Sequence, residues 1–113
     1  MVTISRMQLL KKYLLDTPND VFLNFALGKE FEKNGDDNSA MVQFELVREL
    51  DVNYVGNYYH LGKCLERLHQ ENEANEVYIK GMEIARKLKD DHSYNELAGA
   101  KLSLGLDDDS EEI

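Results

Sequence analysis

The sequence is poor in cysteine, proline and tryptophan. Among 113 residues it has one cysteine, Cys64, one proline and no tryptophan. A single cysteine cannot form a disulfide within the chain, which suits a reducing compartment without proving one. Scarce proline, few glycines and the lack of alternating apolar and polar runs are typical of helices rather than strands. We therefore predict an all-α fold, and the length favours a single domain.

Targeting and membrane-spanning signals are also missing from the sequence. The first twelve residues contain no uninterrupted apolar segment and no small-residue cleavage site, both of which a secretory signal requires. No apolar run approaches the roughly 20 residues that cross a bilayer as a helix. We accordingly expect a soluble, cytoplasmic protein that does not bind membranes.

The charge of the chain is strongly one-sided, with a formal net charge of −9. Much of it lies in residues 106–113, LDDDSEEI, which are too polar to pack and which we predict to form a disordered acidic tail. An acidic chain does not attract the phosphate backbone, so binding to nucleic acids is not expected.

What the sequence does contain is an internal repeat. The tripeptide LGK at 27–29 returns at 61–63, an offset of 34 residues. The same offset matches aromatic or large apolar residues with their own kind, and alanine with alanine. The matched pairs are Phe25 and Tyr59, Phe31 and Leu65, Ala40 and Ala74, and Phe44 and Tyr78. Each copy predicts two helices folded back on each other, with Gly28 and Gly62 allowing close packing.

This pattern resembles the tetratricopeptide repeat, whose 34-residue template is W-x2-L-G-x2-Y followed by A-x3-F and a proline. The two copies read Asn24-x2-Leu27-Gly28-x2-Phe31 with Ala40-x3-Phe44, and Tyr58-x2-Leu61-Gly62-x2-Leu65 with Ala74-x3-Tyr78. Asn24 replaces the first aromatic residue of the template, and Val52 replaces the proline. The resemblance implies two full repeats, at about 21–54 and 55–88.

The flanking segments predict additional helices. Residues 5–17 form an amphipathic pattern that stops before Pro18 and is similar to the second helix of a repeat. Residues 92–104 predict one more helix, which we interpret as a cap that faces water. The predicted architecture is a short α-solenoid of antiparallel helix pairs, about six helices, in a single domain over 1–105.

In the tetratricopeptide family the first helix of each repeat lines a concave groove that holds partner peptides. The resemblance therefore implies a partner-binding groove formed by Phe25, Lys29, Lys33, Tyr59, Lys63 and Arg67. Because four of these are basic on an acidic protein, the hypothesis is an aromatic floor with a basic rim, suited to an acidic or C-terminal peptide. The alternative is that the cations only pair with carboxylates one turn away, which contributes a few tenths of a kcal/mol.

The chaperone-binding subclass of this family holds a carboxylate with a clamp of Lys, Asn and Arg side chains. Phe22, Ala26, Gly56 and His60 stand at the corresponding positions here, so we do not predict binding of chaperone tails. The prediction is instead a non-catalytic scaffold or adaptor that binds a protein or peptide and needs no cofactor.

Two other functions stay open. A self-associating structural module could use Ile4, Leu9 and Leu15 of the first helix, which would make the protein a monomer or weak homodimer. A small metal-binding or catalytic protein could use His60 and Cys64, spaced by four residues, together with His92.

The second alternative has little support, because two ligands are too few for a structural zinc site and a buried cysteine commonly packs as a small apolar residue. The Gly28-Lys29 pair also lacks the upstream glycine and the following Ser or Thr of a phosphate loop. We therefore expect no enzyme and no metal site.

Overall fold

The computed structural model describes residues 4–106, and within them the chain forms six α-helices and no strand. The helices are α1 Arg6–Asp16, α2 Val21–Lys33, α3 Asp37–Leu50, α4 Gly56–Arg67, α5 Glu71–Lys87 and α6 Asp91–Leu104. The all-α prediction is thereby confirmed, whereas positions 107–113 of the predicted tail lie outside the described residues. Across 4–106, no helix is both long enough and apolar enough to span a membrane.

The helices pack in the order in which they follow each other along the chain. The closest pairs are α2 with α3, α4 with α5, and α5 with α6, while α1 packs on α2 and α3 packs on α4. Short connections make successive helices antiparallel. The backbones of α2 and α4, and of α4 and α6, also approach each other directly, so these three helices form one layer with α1, α3 and α5 on its outer side.

The turns between helices follow the same period. Gly35 ends α2 with φ 78°, in the left-handed region that glycine adopts without steric cost. At the equivalent position 34 residues later, His69 takes φ 62°, and Lys89 after α5 takes φ 59°. A left-handed conformation costs a residue with a side chain roughly 1–2 kcal/mol. The packing of the repeats therefore imposes the turn geometry even where the sequence offers no glycine.

Each repeat is closed by an aromatic ring lying against a glycine. Phe44 of α3 and Tyr78 of α5 are both 0% exposed. A Cβ added at Gly28 would lie 2.6 Å from Phe44 Cε1, and one added at Gly62 would lie 2.2 Å from Tyr78 Cε1. Both distances are shorter than any carbon contact allows, so only glycine lets the two helices of a repeat approach this closely.

Asn24 and Tyr58, which hold the first position of the template in the two repeats, both bind the loop before their helix. In the first repeat, Asn24 Nδ2 donates to the Pro18 carbonyl at 2.9 Å, and Asn24 Oδ1 accepts from Gln43 Nε2 at 2.9 Å. In the second, the Tyr58 hydroxyl donates to the Val52 carbonyl at 2.7 Å. Pro18 and Val52 are themselves one period apart, so the first helix of each repeat is fastened to the preceding loop at the same point.

The close helix approach predicts opposite effects for two glycine substitutions. Gly62→Ala should lower the free energy of unfolding by about 1–3 kcal/mol, because the new methyl group displaces the buried Tyr78 ring. Gly99→Ala in α6, where a Cβ meets nothing within 4 Å, should raise it by about 0.5–1 kcal/mol through helix propensity. Urea denaturation measures both, and equal effects would show that the glycine contact does not control repeat packing.

Candidate partner-binding surface

A row of rings crosses from the first repeat to the second. The Phe25 ring on α2 lies 5.5 Å from the His60 ring on α4, and His60 lies 5.6 Å from Tyr59, measured between centroids. Phe25 is also held by Tyr54 at 5.1 Å and by Phe44 at 5.9 Å. The three rings of this aromatic row (Phe25, His60 and Tyr59) are all half-buried, so each presents one side to solvent.

Lysines accompany the aromatic row on both helices. Lys29 and Lys63 each lie one helical turn beyond the aromatic residue of their own helix. Lys29 Nζ is 5.8 Å from the centroid of the Phe25 ring, within reach of a cation–π contact. Lys63 Nζ is 3.8 Å from a Glu66 carboxylate oxygen, and Lys33 is exposed in the last turn of α2. Lys29 thus contacts a ring of the row, Lys63 pairs within its own helix, and the role of these lysines in binding stays a prediction.

Arg67 has a different environment from the lysines. Its Nη2 donates to Glu32 Oε2 at 2.8 Å, and its Nε donates to Asp37 Oδ1 at 2.9 Å. The other oxygen of Glu32 lies 3.1 Å from His60 Nδ1. This inter-repeat network (Glu32, Asp37, His60 and Arg67) joins α2, α3 and α4. Its geometry assigns the Arg67 guanidinium to holding the repeats together, and the remaining cations near the aromatic row are lysines.

The network favours the charged forms of its two central groups. Burial raises the pKa of Glu32, but hydrogen bonds and charges from His60 and Arg67 outweigh burial and bring the pKa below the usual 4.5. Burial lowers the pKa of Arg67, but hydrogen bonds to Glu32 and Asp37 outweigh it and leave the pKa raised. Each group therefore gains from its partner, so the ion pair contributes to repeat stacking.

Cys64 and His60 do not form a ligand pair. The Cys64 Sγ is fully buried and donates to the Asp37 carbonyl at 3.1 Å, while His60 contacts Glu32. Burial and the charge of Asp37 raise the pKa of the Cys64 thiol to about 11. His92 is exposed on α6, and no group of three metal-ligating side chains occurs in the part of the chain that the structure describes.

The inter-repeat network was not predicted from the sequence, although the sequence contains a signal for it. Glu32 and Arg67 are 35 residues apart, one residue more than the period, so they lie at neighbouring positions of adjacent repeats. Opposite charges at that spacing can pair between successive first helices. His60 also belongs to the aromatic row, but the residue one period earlier is Ala26. A search for matching residues at an offset of 34 therefore could not identify it.

Comparison with solved structures identifies the relatives of this chain. A tetratricopeptide repeat domain protein from Salinibacter ruber is 40% identical, and its crystal structure superposes with a TM-score of 0.73 over 78% of this chain and 99% of that one. This chain belongs to the tetratricopeptide repeat family. The solution NMR structure of the Salinibacter domain agrees, with a TM-score of 0.74. The repeat recognised in the sequence is thus confirmed.

More distant structures share the fold of this tetratricopeptide protein. The type III secretion translocator chaperone SycD from Yersinia enterocolitica is 13% identical, with a TM-score of 0.80 over 87% of this chain and 68% of that one. A Bordetella parapertussis protein is 21% identical, with a TM-score of 0.81 over 96% of this chain and 95% of that one. No protein-family model and no curated protein matches the sequence.

The lowered pKa of Glu32 makes its contribution to stability depend on pH. Glu32→Gln should lower the free energy of unfolding by roughly 1 kcal/mol at neutral pH, because it breaks a partly exposed ion-pair network. Since the folded pKa is below the unfolded value of 4.5, this contribution is present above pH 4.5 and is lost as the pH falls through the folded pKa. Denaturant titrations across that range should show the variant and wild type converging.

Glu96→Gln, at an exposed carboxylate of α6, is the matched control for this experiment and should stay close to wild type at every pH. A constant difference between wild type and Glu32→Gln down to the most acidic sample would contradict the role that we assign to the ionised carboxylate.

The raised pKa of Cys64 predicts an unreactive thiol. A shift from 9.0 to about 11 leaves roughly a hundredfold less thiolate at neutral pH, and burial adds a steric barrier. An aromatic disulfide reagent should therefore react slowly with native protein and rapidly once the protein is unfolded in denaturant. Fast reaction of the native protein would reopen the catalytic or metal-binding alternative for Cys64.

Proposed function

We propose that this protein is a non-catalytic interaction module that binds an extended, acidic peptide across α2 and α4. The observation that carries the proposal is the continuous aromatic row with a lysine one turn beyond its aromatic residue on each helix. Rings give contact area to a peptide, and the lysines favour carboxylates beside those rings. In this proposal the groove is lined by Phe25, Lys29, Lys33, Tyr59 and Lys63, with His60 added between them.

The rings support binding because they are held in place before a peptide arrives. Phe25 is fixed by contacts with Phe44, Tyr54 and His60, and Tyr59 packs edge-on against His60. A preorganised surface loses little conformational entropy when it binds, so more of the contact energy remains as affinity. No bond-making group is needed for this role, in keeping with a scaffold or adaptor.

Local charge explains why an acidic partner suits an acidic protein. Near the aromatic row, the cations are Lys29, Lys33, Lys63 and Arg67, and they outnumber by one the carboxylates of Glu32, Asp37 and Glu66. The surface is therefore locally positive although the chain has a net charge of −9. Such a patch steers carboxylates toward itself at low salt, and the effect weakens as ions screen it.

The relatives add a precedent for binding proteins. The Yersinia structure, which shares the fold, is named as a type III secretion translocator chaperone. For this chain we infer a protein or peptide partner and no nucleic acid, because the surface described above is small and most of the chain is acidic. The single buried thiol suits a reducing, cytoplasmic setting.

Exposed apolar side chains on α1 and just before it favour self-association as a second candidate function. Leu15 is 82% exposed and Tyr13 51%, and Ile4, which precedes the helix, is 58% exposed. Exposed apolar residues of this kind can pair with a second copy of the chain. Sedimentation at several concentrations tests this: a mass that rises with concentration in wild type, and stays monomeric in Leu15→Glu, would favour it.

The peptide-binding proposal is tested with peptides selected from a random library on the immobilised protein. We expect the selected sequences to be enriched in Asp and Glu. Their affinity, measured by fluorescence anisotropy, should fall at least about tenfold, or about 1.4 kcal/mol, in the double variant Lys29→Glu, Lys63→Glu. Arg67 is left unchanged because its substitution would also weaken the inter-repeat network.

The matched control reverses two lysines on the outer helix α5. In wild type Lys80 pairs with Glu83 at 3.7 Å, as Lys63 pairs with Glu66, and Lys87 is exposed. Lys80→Glu, Lys87→Glu has the same change in net charge and should retain affinity. Equal losses in the two double variants would show a general charge effect and would reject the groove.

A further inference from the structure

Helix α6 occupies the place of a first helix, and the described part of the chain puts no second helix on it. In the earlier repeats Gly28 of α2 receives Phe44 of α3, and Gly62 of α4 receives Tyr78 of α5. The segment Tyr94-x2-Leu97-Ala98 matches Tyr58-x2-Leu61-Gly62, so Ala98 is the counterpart of these glycines. The repeat geometry thus indicates where the second helix of a further repeat would pack against α6.

The side of α6 that matches this position is apolar. Tyr94, Ala98 and Leu102 are spaced by four residues and share one face. Leu102 is 82% exposed, yet its counterpart on α4 is Glu66, whose carboxylate accepts a hydrogen bond from the Tyr78 hydroxyl. On the open face of α6, Leu102 therefore occupies the position that a hydrogen-bonded glutamate, Glu66, occupies on α4.

The neighbouring part of α5 shows the same change. Glu45 and Arg48 on α3 form an ion pair at 2.7 Å in the hollow between α3 and α5. One period later these two positions are Ile79 and Met82, which with Tyr94 line a hollow of about 240 Å³ between α5 and α6. Both α5 and α6 thus carry apolar residues at the positions where a further helix would pack. In α3 and α4, which already have a neighbouring helix, the positions equivalent to Ile79, Met82 and Leu102 carry charged residues. We call this surface the α6 face (Ile79, Met82, Tyr94, Ala98 and Leu102).

Cations border the α6 face. Arg86 donates to the Tyr94 hydroxyl at 2.6 Å and lies 4.7 Å above its ring, so its charge is fixed at the edge of the hollow. The charged residues around the two hollows that Tyr94 lines are Arg86 and Lys89, with Glu83 and Asp91 of opposite sign. Since Glu83 already pairs with Lys80, the border is positive on a protein that is acidic elsewhere.

We propose that the α6 face is a second docking surface and that it binds an amphipathic helix of another protein, with an apolar stripe flanked by acidic residues. The helix takes the place of the missing second helix of a repeat, and its acids face the cationic border. This proposal is independent of the peptide groove on α2 and α4, because it uses a different surface and a different kind of ligand.

Charge and composition argue against the two other occupants. The free helix of a second copy would be α1, whose Lys11 and Lys12 have the same sign as the border, while its Arg6 already pairs with Glu30 at 3.2 Å. The residues that follow α6 directly, 107–113, hold five carboxylates and a single apolar side chain, Ile113. They do not provide an apolar stripe.

The test uses the full chain and a synthetic stapled helix with Leu and Ala on one face and Glu on the other. The probe should bind, and its amide chemical-shift changes in the protein should centre on α6 and the end of α5. Leu102→Glu should weaken binding at least about tenfold. Val42→Glu on α3 is the control, because Val42 is also an exposed aliphatic residue, at 61% against 82% for Leu102, and it should leave the affinity unchanged.

Several results would overturn the proposal. One is an equal loss of affinity in Leu102→Glu and Val42→Glu, and another is equally tight binding of a probe that carries Lys in place of Glu. Self-association of wild type that Leu102→Glu abolishes would assign the face to a second copy instead. Tighter probe binding after truncation before Asp107 would assign it to the chain's own following residues. The double variant Lys29→Glu, Lys63→Glu should bind the probe like wild type. The proposal for the α6 face can therefore fail while the peptide-groove proposal stands, and the reverse.

Discussion

The contact between a buried aromatic ring and a glycine is the constraint on which the architecture depends. Because Phe44 and Tyr78 occupy the space that a side chain would need at Gly28 and Gly62, each pair of helices can close to a short separation. That separation determines how far the next repeat is displaced. It therefore brings α2, α4 and α6 into one layer, and every surface discussed above is a consequence of that layer.

The same layer gives Arg67 a structural role that the lysines beside it do not share. Arg67 reaches back by one repeat to Glu32 and Asp37, and its planar guanidinium suits two carboxylates at once. Lys29 and Lys63 instead make single contacts within their own helices, Lys29 with the Phe25 ring and Lys63 with Glu66. The proposed groove would therefore combine a preorganised row of rings with lysines that are less tightly held than Arg67.

The two ends of the stack differ in chemistry, which follows from their places in the period. Helix α1 stands where a second helix would and exposes apolar side chains beside three cations. Helix α6 stands where a first helix would and exposes Tyr94 and Leu102 beside α5. An end of a repeat array cannot cover its own apolar stripe, so its residues must turn polar or find a partner. On α6 this stripe, formed by Tyr94, Ala98 and Leu102, is apolar.

The sequence by itself determined the helical class, the period and the role of Gly28 and Gly62, because spacing decides which residues share a helix face. It also placed Phe25 and Lys29 correctly on one helix. Only the tertiary structure decided that Arg67 belongs to Glu32 and Asp37, that His60 links Phe25 to Tyr59, and that His69 can take the conformation of Gly35. Those outcomes depend on the displacement between successive repeats, a distance set by side-chain packing between helices and absent from the periodicity within them.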